Sequence, residues 1–210
     1  MGCSSEGLAA ALRAGAEVMA EHRTELIELD RAIGDGDHGE NMSRGFTAIV
    51  SALETEVPPT PAAVAKLAAT TLISKVGGAA GPLYGTAFLR AATKIGDAKE
   101  IDVPLAVAAL EAALEGVQAR GKAVGGDATM VDALIPAVSA AATAAAASDA
   151  TVASVLAAAA EAADRGAEST VELVPRKGRA SYLGERAVGH MDPGARSSAL
   201  LLHAFAEAAR

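Results

Sequence analysis

Apolar residues recur along most of this chain at intervals of three and four, which is the spacing of one face of an α-helix. The first such stretch, residues 6–29, predicts a long amphipathic helix that carries Asp30 at its C-terminal end. One short segment, residues 168–175, alternates in the manner of a strand, but Pro175 ends it. The pattern therefore predicts an all-α protein.

Prolines and polar caps divide the rest of the pattern into further helices. Thr60 before Pro61, Asp102, and Asp192 before Pro193 are residues that start helices well. The later helices are predicted at residues 41–53, 61–74, 82–94, 103–119, 129–147, 148–167, 181–187 and 193–209. We expect about eight main helices, with short connections between them.

Short connections make consecutive helices antiparallel, so the predicted architecture is an up-and-down bundle or barrel. A chain of 210 residues can fill one domain, and we predict that residues 1–210 form it. Loops separated by two helices emerge at the same end of such an array. We therefore predict one rim and one site from the loops at residues 30–41, 77–82, 120–129 and 169–180.

Composition restricts the classes of function. The net charge of −8 argues against a nucleic-acid binder, which would show a basic patch. No segment reaches the ~18 uninterrupted apolar residues of a membrane span. The single cysteine, Cys3, excludes a disulfide framework and fits a reducing compartment. We expect a cytoplasmic protein with neither a nucleic acid nor a membrane as its partner.

The loop at residues 30–41, DRAIGDGDHGEN, contains the strongest chemical signal. Asp30, Asp35 and Asp37 lie within eight residues, and intervening glycines allow the segment to fold on itself. Three like charges at one point need a cation, and Mg²⁺ prefers oxygen ligands and phosphates. The alternative is that each aspartate caps a turn. An EF-hand is excluded because Phe46 stands where its bidentate Glu is required.

The other loops offer groups that suit phosphate. The glycine turn at residues 77–81 is either an anion site at a helix start or an ordinary turn. Thr129 is either a plain cap or a hydroxyl beside phosphate. Arg176, Lys177 and Arg179 either bind phosphate or belong to a solvated loop. Together with the aspartates, they predict a magnesium–nucleotide site.

Three further features have competing interpretations. Residues 116–122 match the start of a P-loop, but Ala123 replaces the required Ser or Thr and a helix precedes the motif. His38 is predicted to be a general base, a ligand or a nucleotide contact. His203 lies on an apolar helix and is predicted to be packed in the core.

The segments DRAIGDGDHGENM, GGAAGPLYGT, GGDATMVDAL and KGRASYLGERAVGHMDPGARS, in this order over nearly the whole chain, resemble the DhaL family. These are the nucleotide-binding (L) subunits of bacterial dihydroxyacetone kinases of the phosphotransferase-system-dependent type. The resemblance implies an antiparallel barrel of eight helices, with ADP or ATP held at one end over two Mg²⁺ ions.

The resemblance also implies roles for individual residues. Asp30, Asp35 and Asp37 hold the metal ions. The implied nucleotide contacts are His38, Gly39, Glu40, Asn41, Ala79, Ala80, Gly121, Thr129, Met130, Arg179, Asp192, Pro193 and Gly194. Ala80 departs from the family, because a serine is common there and its hydroxyl is missing here.

The implied activity is phosphoryl transfer in partnership. The nucleotide passes its γ-phosphoryl group to dihydroxyacetone on a separate K subunit, and a phosphohistidine M subunit rephosphorylates ADP in place. The alternatives are a kinase domain for another short ketose or a fatty acid, and a nucleotide-state sensor that binds a transcription regulator. Self-association as a homodimer and the choice between Mg²⁺ and Mn²⁺ are left open.

Overall fold

The computed structural model describes residues 2–210. Over that range it contains nine α-helices and no strand beyond an isolated bridge between Cys3 and Ile101. The helices are α1 (Ser5–Glu21), α2 (Arg23–Ile33), α3 (His38–Thr55), α4 (Pro61–Lys75), α5 (Ala80–Ile95), α6 (Val103–Gly121), α7 (Met130–Ala144), α8 (Val152–Ser169) and α9 (Pro193–Ala208). The all-α prediction is confirmed.

The helices form a closed antiparallel array. Neighbours in sequence pack side by side from α3 through α9, and α1 packs against both α3 and α9 to complete the ring. Phe46, Leu12 and Leu72 are fully buried at the centre. A second cluster, where α7, α8 and α9 meet, consists mainly of alanines, whose small side chains allow close helix packing. None of the helices in residues 2–210 is long and apolar enough to cross a membrane.

The first predicted helix differs from the structure in two ways. It is divided at His22, where ψ is 9° and α2 begins at the next residue. No Gly or Pro marks this break. α2 also continues to Ile33, so Asp30 lies within its last turn instead of following it. The carboxylate of Asp30 is therefore held by helical backbone.

The predicted caps at Thr60, Asp102 and Asp192 are confirmed. Each side chain accepts a hydrogen bond from an N–H in the first turn of its own helix. The predicted start of α8 at residues 148–149 is wrong, because Thr151 and Ser154 form a capping box at the true start.

Other boundaries also differ. α3 begins at His38, three residues before the predicted start, and α7 ends at Ala144, three residues before the predicted end. α5 begins at Ala80, two residues before Pro82, so the glycine turn is shorter than predicted. The predicted helix at residues 181–187 is two 3₁₀ turns, Arg179–Tyr182 and Gly184–Ala187. Gly184 has φ of 58°, which a right-handed α-helix cannot accommodate.

His203 is not a core residue. Its imidazole is about half exposed, and Nε2 lies 2.5 Å from the carboxylate of Asp164 on α8. Most other positions of α9, Leu201 and Leu202 among them, are buried, so the apolar pattern describes the helix but not residue 203.

Candidate functional site

The four loops that follow α2, α4, α6 and α8 lie together at one end of the array. They enclose an open pocket of about 590 Å³, to which each loop contributes residues. The alternation of helix direction predicts this convergence, and the structure confirms it. We refer to this end as the site end, and to the opposite end, which carries the other connections, as the far end.

Three carboxylates meet at the edge of this pocket. One oxygen from each of Asp30, Asp35 and Asp37 lies within 4.8 Å of the others. Asp30 Oδ2 also accepts hydrogen bonds from the backbone N–H groups of Asp37, at 2.8 Å, and His38, at 3.1 Å. Asp30 on α2 thus caps the first turn of α3.

The capping interpretation therefore accounts for Asp30 alone. Asp37 occupies the N-cap position of α3, yet its side chain makes no cap hydrogen bond. Asp35 pairs with Arg179 at 2.9 Å, but the Arg179 side chain is 70% exposed, and such surface pairs contribute little. An all-oxygen set with two weakly engaged carboxylates fits a hard cation such as Mg²⁺.

The glycine turn before α5 brings unsatisfied backbone donors to the pocket. Ala79 is the N-cap of α5 and has no side-chain cap bond, while Gly77, Gly78, Ala79 and Ala80 all line the pocket. A side chain at Gly81 would overlap the carbonyl oxygen of Val76. The first-turn N–H groups and the helix dipole together favour an anion.

Asn41 is buried beside the glycine turn, and Arg44 fixes its orientation. The Asn41 Oδ1 atom accepts a hydrogen bond from the Arg44 guanidinium, whose Nε also donates to the Lys75 carbonyl oxygen at 2.9 Å. Since Oδ1 is engaged, the amide donor of Asn41 is left for the pocket. Sequence reasoning missed Arg44, although its i+3 position relative to Asn41 was a usable signal.

Two buried aspartates, Asp132 and Asp127, hold the loop before α7. Asp132 accepts from the N–H groups of Gly126 and Thr129, at 2.5 and 2.9 Å, and Thr129 Oγ1 accepts from Val131 N at 3.2 Å. Thr129 is therefore the cap of α7, which was one of its two interpretations, and it also lines the pocket. This capping box fixes the pocket wall.

Asp127 joins this loop to the segment after α8. Its carbonyl oxygen accepts from the N–H of Arg176 at 3.0 Å, and its carboxylate lies 4.0 Å from Lys177 Nζ. Lys177 and Arg179 line the pocket, whereas Arg176 does not. Two of the three predicted cations thus lie where an anion would bind.

The start of α9 forms the pocket floor with Asp192, Pro193 and Gly194. Asp192 Oδ2 accepts from the N–H of Ala195 at 2.7 Å. Loss of hydration raises the pKa of the Asp192 carboxyl to about 7, and the negative charge of Asp132 adds to this effect.

His38 lies at the start of α3 and lines the pocket. Burial lowers the pKa of its imidazole to about 4, so the ring is neutral at pH 7. Two of its predicted neighbours do not line the pocket. A side chain at Gly39 would overlap the carbonyl oxygen of Arg23, which brings α2 and α3 close together. Glu40 pairs with the Arg23 guanidinium, with Nε at 2.6 Å.

The remaining predicted residues line the pocket, as do several that sequence reasoning missed. Gly121 and Met130 are among the predicted ones. Val117 precedes Gly121 by one helical turn, and Leu83 and Tyr84 follow the glycine turn directly, so helical spacing from predicted residues could have identified them.

Comparisons with known proteins agree on one family. The family model of the DAK2 domain matches residues 32–207. The ADP-binding subunit DhaL of PEP-dependent dihydroxyacetone kinase 1 from Listeria innocua is 44% identical, over 90% of this chain and 89% of that subunit. The corresponding subunit DhaL from Escherichia coli is 39% identical over 88% of each chain.

A solved structure extends the comparison. The crystal structure of the dihydroxyacetone kinase from C. freundii in complex with AMP-PNP and Mg²⁺ superposes with a TM-score of 0.74 and 28% identity. The match covers 99% of this chain but only 34% of that larger enzyme.

Proposed function

Since the chain belongs to the DAK2-domain family, and within it to the DhaL subunits, we propose that it is the nucleotide-binding subunit of a dihydroxyacetone kinase. The observation that carries this proposal is the meeting of three carboxylates with the uncapped start of α5 in one pocket. A pocket with both features suits a nucleotide whose phosphates are bound to metal ions.

Asp30, Asp35 and Asp37 would hold two Mg²⁺ ions, which when bound neutralise phosphate charge during phosphoryl transfer. Asp30 does so while it caps α3, so the metal site and the start of α3 are one unit. The N–H groups of the α5 first turn then bind phosphate oxygens. They act without the serine hydroxyl that is common at position 80.

The other pocket residues surround the rest of the nucleotide. Arg179, which pairs with Asp35, and Lys177 provide positive charge to the pocket, and Asn41 offers the amide donor that Arg44 leaves free. The apolar side chains of Met130, Leu83 and Val117 form a wall suited to a flat base. In total, the chain positions the nucleotide and excludes water from one side of it.

The acceptor of the phosphoryl group and the donor that replaces it are assigned to partner chains. We propose that dihydroxyacetone is bound by a K subunit, and that a phosphohistidine M subunit restores the transferred phosphoryl group without release of ADP. The full-length relatives support this assignment, because they are named as subunits of PEP-dependent kinases. The open mouth of the pocket at the site end would face both partners in turn.

Native mass spectrometry of the purified chain tests the nucleotide site. We expect a species with one ADP and two Mg²⁺ ions, and we expect Asp35→Asn to abolish it. Asp149→Asn is the matched control, because Asp149 is exposed in the α7–α8 connection at the far end. Retention of ADP and both ions by Asp35→Asn would show that the metal assignment is wrong.

The same experiment tests the donor. After incubation with a phosphorylated M subunit, the bound nucleotide should gain the mass of one phosphoryl group, and addition of a K subunit with dihydroxyacetone should remove it. A nucleotide that never gains phosphate from the M subunit, but exchanges with free ATP, would refute the phosphoprotein donor and leave the nucleotide site intact.

A further inference from the structure

A buried cluster of hydroxyl groups lies behind His38, between the pocket and the core. It consists of Tyr84 on α5 and Ser197 and Ser198 on α9, with exposed fractions of 5%, 0% and 2%. His38 Nε2 lies 2.8 Å from Ser197 Oγ. The contacts of Ser197 with His38, and of Tyr84 with both serines, join residues more than 100 positions apart. No local sequence pattern therefore predicts the cluster.

Six contacts join the cluster to the Gly194 carbonyl oxygen and to His38. Two of them, from Tyr84 Oη and from Ser197 Oγ to the Gly194 carbonyl oxygen, are 3.2 Å long, and the other four are shorter. Ser198 Oγ lies 2.8 Å from the Gly194 carbonyl oxygen and 2.9 Å from Tyr84 Oη. Tyr84 Oη lies 2.7 Å from Ser197 Oγ, which in turn contacts His38. All four distances are those of hydrogen bonds. They form a chain from the carbonyl oxygen of Gly194 to the imidazole.

One arrangement of the protons satisfies all four of the shortest contacts, and it gives each of these bonds a direction. A carbonyl oxygen only accepts, so the Ser198 hydroxyl donates to Gly194. The Ser198 proton is then used, and Tyr84 must donate to Ser198. By the same argument Ser197 donates to Tyr84, and the fourth bond needs a proton from His38 Nε2. With Nε2 as an acceptor, only three hydroxyl protons would be present, and one of the four shortest contacts would have no proton.

The other ring nitrogen is open to the pocket. His38 Nδ1 makes no hydrogen bond within residues 2–210, and no buried side-chain nitrogen or oxygen there lacks a partner. Nδ1 is therefore accessible, and His38 lines the pocket. In the Nε2–H tautomer, Nδ1 carries a lone pair.

We infer that Tyr84, Ser197 and Ser198 are positioning residues that fix His38 as the Nε2–H tautomer and direct the Nδ1 lone pair into the nucleotide pocket. Nδ1 then accepts a hydrogen bond from an O–H or N–H group of the bound ligand or its water. The hydrogen-bonded cluster follows from the geometry alone, whereas its role in ligand recognition rests on the function proposed above.

Nitrogen-15 NMR of histidine-labelled protein, without metal or nucleotide, tests the tautomer directly. The signal of His38 is identified by its loss in His38→Gln. We expect one tautomer, protonated on Nε2, in the wild type, and a mixture of both tautomers in Tyr84→Phe, which removes only the hydroxyl. A wild-type ring protonated on Nδ1, or an unchanged tautomer ratio in Tyr84→Phe, would overturn the inference.

Titration with Mg²⁺–ADP tests the role in recognition. We expect Ser197→Ala to weaken binding about 10-fold, as is usual when a supporting hydrogen bond of a ligand group is lost. Ser197→Thr, which keeps the hydroxyl, should restore most of the affinity, and Ser139→Ala on the exposed face of α7 should have no effect. Equal affinities of Ser197→Ala and wild type would refute the role in recognition. Failure of the wild type to bind would instead refute the proposed function.

Discussion

The two ends of the helical array start their helices differently. All four helices that begin at the far end are capped by a side chain at their own N-cap position, namely Ser4, Thr60, Asp102 and Thr151. At the site end α7 and α9 are capped in the same way, but α3 and α5 are not.

The two exceptions are the two helix starts that the proposed nucleotide site uses. The cap of α3 comes from Asp30 on another helix, which leaves the Asp37 carboxylate unengaged by its own helix. The start of α5 has Ala79 in the cap position, and so its first-turn donors remain available. An N-cap hydrogen bond contributes about 1 kcal/mol. The start of α5 thus gives up local stability where a ligand would supply the missing partners, whereas α3 receives its cap from Asp30.

The largest expected difference is in nucleotide binding, between an aspartate that does not cap its own helix, Asp37, and one that does, Asp102. Asp37→Asn removes a charge from the carboxylate cluster and should weaken Mg²⁺–ADP binding by on the order of 100-fold or more, beyond the effect usual for supporting groups. Asp102→Asn at the far end should leave binding unchanged, because Asn caps a helix as well as Asp does. Calorimetric titration measures both. Equal affinities for the two variants would remove the functional distinction between the ends.

Glycines at the two ends of α5 provide a second comparison. In Gly81→Ala the new methyl group overlaps the Val76 carbonyl oxygen, so α4 and α5 must separate. We expect a loss of about 1–3 kcal/mol of stability, together with weaker nucleotide binding. Gly96→Ala at the far end meets no atom closer than 4.0 Å, but it must keep φ of 59° and ψ of −130°, which strains any residue other than glycine. It should therefore cost about 1–3 kcal/mol without any effect on binding.

Denaturant unfolding and nucleotide titration of the two glycine variants separate these effects. Should Gly81→Ala bind Mg²⁺–ADP as the wild type does, the first turn of α5 would not be part of the binding site.

Sequence reasoning succeeded where the determining interaction is local. Thr60, Asp102 and Asp192 each cap a helix through a bond to a residue three positions ahead, and alternation of helix direction then brings the four loops to one end. The break at His22 has no Gly or Pro signal. The apolar pattern of α9 predicts a core position for His203, but its partner Asp164 lies on another helix and holds it at the surface.

Three of the features that sequence reasoning missed depend on contacts between different helices. The side chain that caps α3 belongs to α2, the orientation of Asn41 depends on the end of α4, and the hydroxyl cluster joins α5 to α9. The composition of the loops indicates a magnesium–nucleotide site. It does not indicate which aspartate is also a cap.

The two capping boxes allow a smaller and closely matched comparison. Thr129 starts α7 at the site end, and Thr151 starts α8 at the far end. Replacement of either by alanine should cost about 1 kcal/mol, which corresponds to roughly 2–4 °C in Tm for a chain of this size. Only Thr129→Ala should also weaken nucleotide binding. Equal nucleotide affinities of Thr129→Ala and Thr151→Ala would show that Thr129 contributes to stability but not to binding.

The smallest expected effect concerns the pH dependence of stability in the metal-free protein. Asp192 has a folded pKa of about 7, above the value of 3.8 for a free side chain. The folded state therefore binds more protons than the unfolded state between these values, and stability falls as the pH rises through this window. His38, with a folded pKa of about 4 against 6.5, has the opposite effect between pH 4 and 6.5. The two contributions oppose each other in the wild type.

Asp192→Asn removes one of these contributions and keeps the cap of α9, because Asn is an equally good N-cap residue. With EDTA present, its stability relative to wild type should increase by about 1 kcal/mol between pH 5 and 7, less than the full shift implies because the site end is open to water. Thr151→Ala at the far end, which changes no ionisable group, should show the pH profile of the wild type. Thermal unfolding at pH 5, 6 and 7 measures the difference. Parallel profiles for Asp192→Asn and wild type would mean that the Asp192 carboxylate is hydrated at the pocket floor and that the two ends do not differ in this respect.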